Sequence, residues 1–69
     1  MLVRNLFSVI PIDSILLLLD TKEKSVLYKG TMMDVSVCYL DYTVDEIKPC
    51  IIDDMFIGIK ADIHSYLMY

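Results

Sequence analysis

The sequence predicts a small α+β domain that assembles into a homo-oligomer. We expect a four-stranded antiparallel sheet packed against an N-terminal helix, with a short second helix. Three observations support this: helical spacing of apolar residues before Pro11, short strand-like segments after it, and 57% apolar residues in a chain of 69. Because so short a chain buries only about 60% of its unfolded surface, one copy leaves an apolar patch exposed. We expect a second copy to cover it.

The N-terminal segment is predicted to be a helix over Leu2 to Ile10. Its apolar residues recur at helical spacing and form one stripe, while Arg4 and Asn5 lie on the other side. Pro11 should end the helix at or before Ile10, because a proline disfavours helical geometry in the residue that precedes it.

Two strands joined by a polar loop are predicted next. Ser14 to Asp20 contains an uninterrupted leucine-rich run, which is typical of a strand buried on both faces. Ser25 to Lys29 follows after a polar stretch, and the two segments form a hairpin. The helix can cover one face of the first strand, so the other face needs either the C-terminal tail or a partner subunit.

The second half of the chain is predicted to form a short helix and another hairpin. Residues 31–40 carry a helix start signal but also alternate like a strand, and we favour the helix. Residues 42–52 form the third strand, where Pro49 requires an edge position or a bulge. Residues 55–61 form the fourth strand, and 62–69 are an apolar tail.

Composition bounds the class of protein. The chain is one domain over residues 1–69, since it is too short for two. Its longest stretch without a charge is eight residues, and a membrane span needs about 20. No signal peptide is recognised, so we expect a cytoplasmic protein with Cys38 and Cys50 reduced and structural. The net charge of -4 and scattered cations argue against direct DNA binding.

Acidic residues form the only group with a candidate chemistry. Carboxylates can hold Mg²⁺ for phosphodiester hydrolysis, so Asp41, Asp53 and Asp54 are candidate catalytic residues. Solvated turn residues are the alternative. An acidic face that occupies a basic nucleic-acid groove is another. No metal site and no resident cofactor are predicted, with Mg²⁺ required only if the chain cuts DNA. The wider acidic group comprises Asp41, Asp45, Glu46, Asp53 and Asp54.

His64 is the only histidine and is predicted to be a tail residue without a catalytic role. Ser65 follows it directly, and adjacency in sequence gives no triad geometry. The five tyrosines lack interleaved cations, so we expect them to pack in the core and at interfaces. The predicted interface between copies consists of Leu16, Leu18, Tyr66, Leu67 and Tyr69.

Four short segments carry a resemblance to known proteins: Val3-Arg4-Asn5-Leu6, Leu27-Tyr28-Lys29-Gly30, Leu40-Asp41-Tyr42-Thr43-Val44 and Phe56-Ile57-Gly58-Ile59. They resemble segments of small prophage-encoded proteins from Gram-positive gut bacteria. This group includes an anti-CRISPR protein that inhibits type II Cas9, with a fold similar to the positive-cofactor family of single-stranded-DNA-binding coactivators. The resemblance implies an oligomer with a bent antiparallel sheet and a counter-defence role in the host cell, with nicking of supercoiled DNA as one route.

The sequence is therefore compatible with three functions. The first is an interaction protein that inhibits a host defence nuclease, as an anti-CRISPR protein does. The second is a metal-dependent nickase that uses the acidic candidates. The third is a structural or assembly module without a catalytic site.

Overall fold

The computed structural model describes residues 1–52 and 54–65, with Phe56 described by its backbone. In this part of the chain, four strands form one sheet and the helices are short 3-10 helices. The strands are β1 (Ile15–Asp20), β2 (Val26–Thr31), β3 (Thr43–Ile52) and β4 (Phe56–His64). The 3-10 helices are Val3–Ser8, Met32–Asp34 and Val37–Tyr39. The predicted α+β character and four strands are confirmed.

The sheet is mixed, so the prediction of a purely antiparallel sheet is wrong. Its strand order is β2-β1-β4-β3. The two hairpins are antiparallel as predicted, but β1 pairs with β4 in parallel. β2 and β3 consequently point the same way from opposite edges. The connection between them must cross the sheet, as parallel strands require.

The N-terminal helix is a 3-10 helix over Val3–Ser8 and is shorter than predicted. A 3-10 helix has three residues per turn, so side chains three positions apart lie directly above one another. Val3 and Leu6 therefore both reach the sheet and are buried. Phe7 belonged to the predicted stripe but turns outward, because the tighter helix rotates it away from the core.

The core lies on one face of the sheet, which we call the covered face. Leu16 and Leu18 of β1 point into it and have 0% exposure. The 3-10 helix at Val3–Ser8 and the connection between β2 and β3 supply the opposing layer, with Met32 and Val35 buried. A single layer of short helices therefore suffices to bury the middle of the sheet.

The segment 31–40 contains two 3-10 turns instead of the one short helix that was predicted. Extended residues Val35 and Ser36 separate the turns. The Tyr39 hydroxyl donates a 3.2 Å hydrogen bond to the Leu27 carbonyl, which fastens the connection to the first hairpin. None of the described helices has the length and apolar character needed to cross a bilayer.

β3 is an edge strand, as Pro49 predicted. A proline cannot donate a ladder hydrogen bond, and an edge position leaves its nitrogen without a required partner. β4 continues three residues past its predicted end at Ala61, so residues 62–64 belong to the sheet and not to a tail. Asp62 and Ile63 pair with β1 on one side and β3 on the other, and His64 pairs with Thr43 of β3.

Candidate functional site

Three polar side chains meet at the end of the sheet where β1 and β4 both finish. Thr21 follows β1, His64 ends β4, and Asp45 lies near the start of β3. The pairing of β3 with β4 shifts register between Val44 and Glu46, so Asp45 lies in a bulge. A bulge bends its strand and redirects a side chain, which here places the Asp45 carboxylate beside both neighbours.

One carboxylate oxygen holds this group together. The Thr21 hydroxyl donates to Asp45 Oδ2 at 2.5 Å, and His64 Nδ1 lies 2.7 Å from the same atom. An ionised carboxylate only accepts hydrogen bonds, so His64 Nδ1 carries the proton. The Thr21 amide also donates to the Ile63 carbonyl at 2.9 Å. The group therefore ties the turn after β1 to the ends of β3 and β4.

The electrostatics favour a charged Asp45. The hydrogen bond from Thr21 is the largest cause that lowers the pKa of the Asp45 carboxyl, followed by the hydrogen bond from His64. Burial opposes both by raising that pKa. Thr21, Lys22, Asp45 and His64 line a cavity of about 280 Å³.

The arrangement can support acid–base chemistry but contains no activated nucleophile. In a nucleophilic triad the hydroxyl donates to the histidine, and the carboxylate orients the histidine from its other nitrogen. Here the Thr21 hydroxyl and His64 both bond to Asp45 Oδ2. His64 is thus oriented by a carboxylate, as general bases are, while Thr21 is held by Asp45.

A buried carboxylate lies on the other face of the sheet, which we call the open face. Asp62 is 5% exposed. Its Oδ2 pairs with Lys24 Nζ at 3.3 Å, and its Oδ1 has no hydrogen-bond partner among the described residues. Burying a charge is costly unless it is well paired. The open face therefore contains a buried carboxylate that is paired through only one of its two oxygens.

The two predicted catalytic carboxylates that the structure describes, Asp41 and Asp54, are not brought together. Asp41 precedes β3 and forms an ion pair with Arg4 on the surface. Asp54 lies in the turn after β3 with φ of 58°. β3 has 10 residues, so at about 3.3 Å per residue it separates the two ends by roughly 30 Å. Asp53 lies outside the described residues.

Two of the predicted interface residues fall within the described part of the chain. Leu16 and Leu18 are inside the chain's own core, because they face the covered side of the sheet. The alternate leucines, Leu17 and Leu19, are partly exposed on the open face. The remaining members of the set, Tyr66, Leu67 and Tyr69, lie outside the described residues.

Exposed apolar side chains gather at the end of the β3–β4 hairpin. Ile51, Met55 and Ile57 are 71%, 79% and 85% exposed, and we call them the tip surface. Ile51 and Ile57 are direct partners across the two strands, so their side chains lie on the same face. The tip extends past β1, whose pairing with β4 begins at Leu16 and Ile59.

Comparison with known proteins does not identify the chain, since no protein family, curated protein or solved structure matches it. Within residues 1–52 and 54–65, no group of three or more His, Cys, Asp or Glu side chains is arranged to hold a metal ion. Any functional assignment therefore comes from the residues themselves.

Sequence reasoning missed the pairing of Asp45 with His64, although a signal was present. Counting outward along both strands from the predicted turn at Asp53-Asp54 brings His64 opposite Thr43, two residues from Asp45 and within reach of its side chain. The register shift between Val44 and Glu46 then leaves Asp45 in a bulge next to that pair. Treating residues 62–64 as tail removed His64 from this count.

Proposed function

We propose that this chain is a small phage or prophage interaction protein that inhibits a nuclease of the host's defence system. The target to test first is type II Cas9 in the bacterial cytoplasm. The chain acts by binding and works as a homo-oligomer. The observation that supports binding is the tip surface, because neighbouring large apolar side chains that stay exposed usually mark a protein interface.

The choice of target rests on two further considerations. The segments at both ends of the sheet resemble those of the prophage group that contains a Cas9 inhibitor. The net charge of -4 also suits a basic, nucleic-acid-binding groove on the partner. Charge complementarity of this kind raises the association rate, while the apolar tip contributes affinity.

The test is inhibition of DNA cleavage by purified, guide-loaded Cas9 at increasing concentrations of the chain. We expect inhibition by the natural sequence and at least a tenfold weaker effect for Ile57→Lys. Burying an isoleucine contributes about 1.5–3 kcal/mol, and 1.4 kcal/mol is about tenfold in affinity.

The matched control is Val37→Lys. Val37 is a 79% exposed apolar residue in the connection between β2 and β3, away from the tip surface, and the change in charge is the same. It should inhibit like the natural sequence. No inhibition and no binding by the natural sequence would exclude Cas9 as the target, and equal losses in both variants would exclude the tip surface.

A second candidate is a nickase of supercoiled DNA, and the hydrogen-bonded Asp45–His64 pair beside a cavity favours it. A histidine oriented by a carboxylate can accept the proton of an attacking water. The test is conversion of supercoiled plasmid to open circle with and without Mg²⁺. His64→Gln should abolish nicking, whereas Asp41→Ala and Asp54→Ala should abolish it only if the predicted carboxylates act. A chain that neither binds a nuclease nor nicks DNA would be an assembly module.

A further inference from the structure

The open face of the sheet carries charges of opposite sign in two adjacent rows. Directly opposed residues in a sheet point to the same side, so the register defines each row. Lys29, Leu17, Lys60 and Lys48 are opposed in turn across β2, β1, β4 and β3. We call them the lysine row.

The next row along the strands is acidic. Val26, Leu19, Asp62 and Glu46 are opposed in the same order of strands, and we call them the acidic row. Each strand therefore carries one member of each row, two or three residues apart. The leucines of both rows are half-buried in the isolated chain.

We infer that the open face is the surface on which two copies of this chain pair. A two-fold axis that runs between the rows, parallel to them, places the lysine row of one copy against the acidic row of the other. Lys60 then faces Asp62, Lys48 faces Glu46, and Leu17 faces Leu19. Such an interface is self-complementary, as two-fold dimers require.

The dimensions and charges agree with this pairing. Packed sheets lie about 10 Å apart, a gap that lysine side chains span. Asp62 is buried within its own chain, so Lys60 of the second copy attracts it only through the field across the interface, whereas Lys48 and Glu46 are 60% and 50% exposed and can contact each other directly between copies. Within one copy Lys48 Nζ already lies 2.9 Å from a Glu46 oxygen, and pairing extends this contact into a four-charge group.

The area of the face indicates a dissociable dimer. Four strands at about 4.8 Å spacing and six residues at about 3.3 Å give roughly 400 Å² of projected face per copy. Stable complexes bury about 1,200–2,000 Å² in total, so the two faces together lie below that range. We expect a concentration-dependent dimer that weakens as salt screens the charges.

This inference gives a surface to the homo-oligomer of the proposed function and does not depend on nuclease binding. The experiment is sedimentation equilibrium of the full chain from micromolar to millimolar concentration. Lys48→Glu should weaken dimerisation at least tenfold, since two like charges then face each other. The double variant Lys48→Glu/Glu46→Lys should restore it, because both copies carry the swap.

A second readout uses the two cysteines. Cys50 lies opposite Gly58 on the open face, and Cys38 is exposed in the connection on the other side. Cys50 should react with a maleimide more slowly as the dimer fills, while the rate at Cys38 stays constant. A monomer at every concentration would overturn the inference. So would a dimer whose affinity Lys48→Glu does not change, or equal protection of both cysteines. The tip variant Ile57→Lys should leave dimerisation intact, which separates this test from that of nuclease binding.

Discussion

Replacing Gly58 with alanine tests the parallel contact between β1 and β4. A Cβ at this position would lie 2.8 Å from the Ile15 carbonyl oxygen and 2.5 Å from Ile52 Cδ1. The side-chain atom can move, but the carbonyl belongs to the backbone of the neighbouring strand. Overpacking of this kind costs about 1–3 kcal/mol. Alanine also has less conformational freedom than glycine in the unfolded chain, which stabilises the folded state by about 0.4–1 kcal/mol. The net effect of Gly58→Ala should be a free energy of unfolding lower by about 0.5–2 kcal/mol.

The matched control is Gly30→Ala. There the new Cβ lies 2.7 Å from the Tyr28 hydroxyl, the far end of a flexible side chain. Moving it breaks the 2.6 Å hydrogen bond from Tyr28 to the Thr31 carbonyl, which costs about 0.5–1.5 kcal/mol. The unfolded-state gain of about 0.4–1 kcal/mol offsets most of this cost.

The assay is urea unfolding at one low protein concentration. With a slope of about 1 kcal/mol per molar urea, the midpoint of Gly58→Ala should fall by about 0.5–2 M. Gly30→Ala should stay close to the natural sequence. A Gly58→Ala variant as stable as the natural chain would refute the close approach of β4 to β1.

Three further predictions concern the core and the titrating groups. Leu18→Ala should lower the free energy of unfolding by about 2–5 kcal/mol, because the side chain has 0% exposure; a loss below about 1 kcal/mol in urea would place it outside the core. The Thr21 hydrogen bond is the main cause of the lowered pKa of Asp45. The charged Asp45 therefore stabilises the fold above its unfolded-state pKa, near 3.9, and this contribution is lost as the pH falls through its folded-state pKa. Thr21→Val should reduce the acid dependence of the melting temperature, and an unchanged profile would contradict that role. Burial is the main cause that raises the pKa of the Tyr39 hydroxyl. The neutral hydroxyl therefore stabilises the fold up to about pH 10, and this contribution should be lost as the pH rises through the folded-state pKa. Tyrosinate absorbance should show a late-titrating group that Tyr39→Phe removes.

Local features of this fold were predictable from sequence, and long-range pairing was not. The leucine run and the two hairpins follow from patterns within a few residues of one another. Pro49 correctly indicated an edge strand, because its effect on a ladder is intrinsic. The parallel pairing of β1 with β4 joins Leu16 to Ile59, and no local pattern specifies that partner.

The candidate site was hidden for a related reason. Asp45 reaches His64 only because a bulge adds a residue to β3 at that point. The sequence there, Val44-Asp45-Glu46, carries no glycine to indicate an irregularity. The alternation of buried and open leucines in β1 also depends on which face is covered, so Leu16 and Leu18 could not be distinguished from Leu17 and Leu19 in advance.

The two central strands of the sheet are the first and fourth along the chain. The middle of the molecule therefore cannot assemble during synthesis until the last strand has been made. Pairing between distant segments slows folding, because the intervening loop must close before the contact stabilises it. A nascent chain that ends before β4 leaves one edge of β1 and the whole of β3 without a strand partner, and such intermediates are prone to aggregate. Splitting the gene between the two hairpins should give fragments that fold only when both are present.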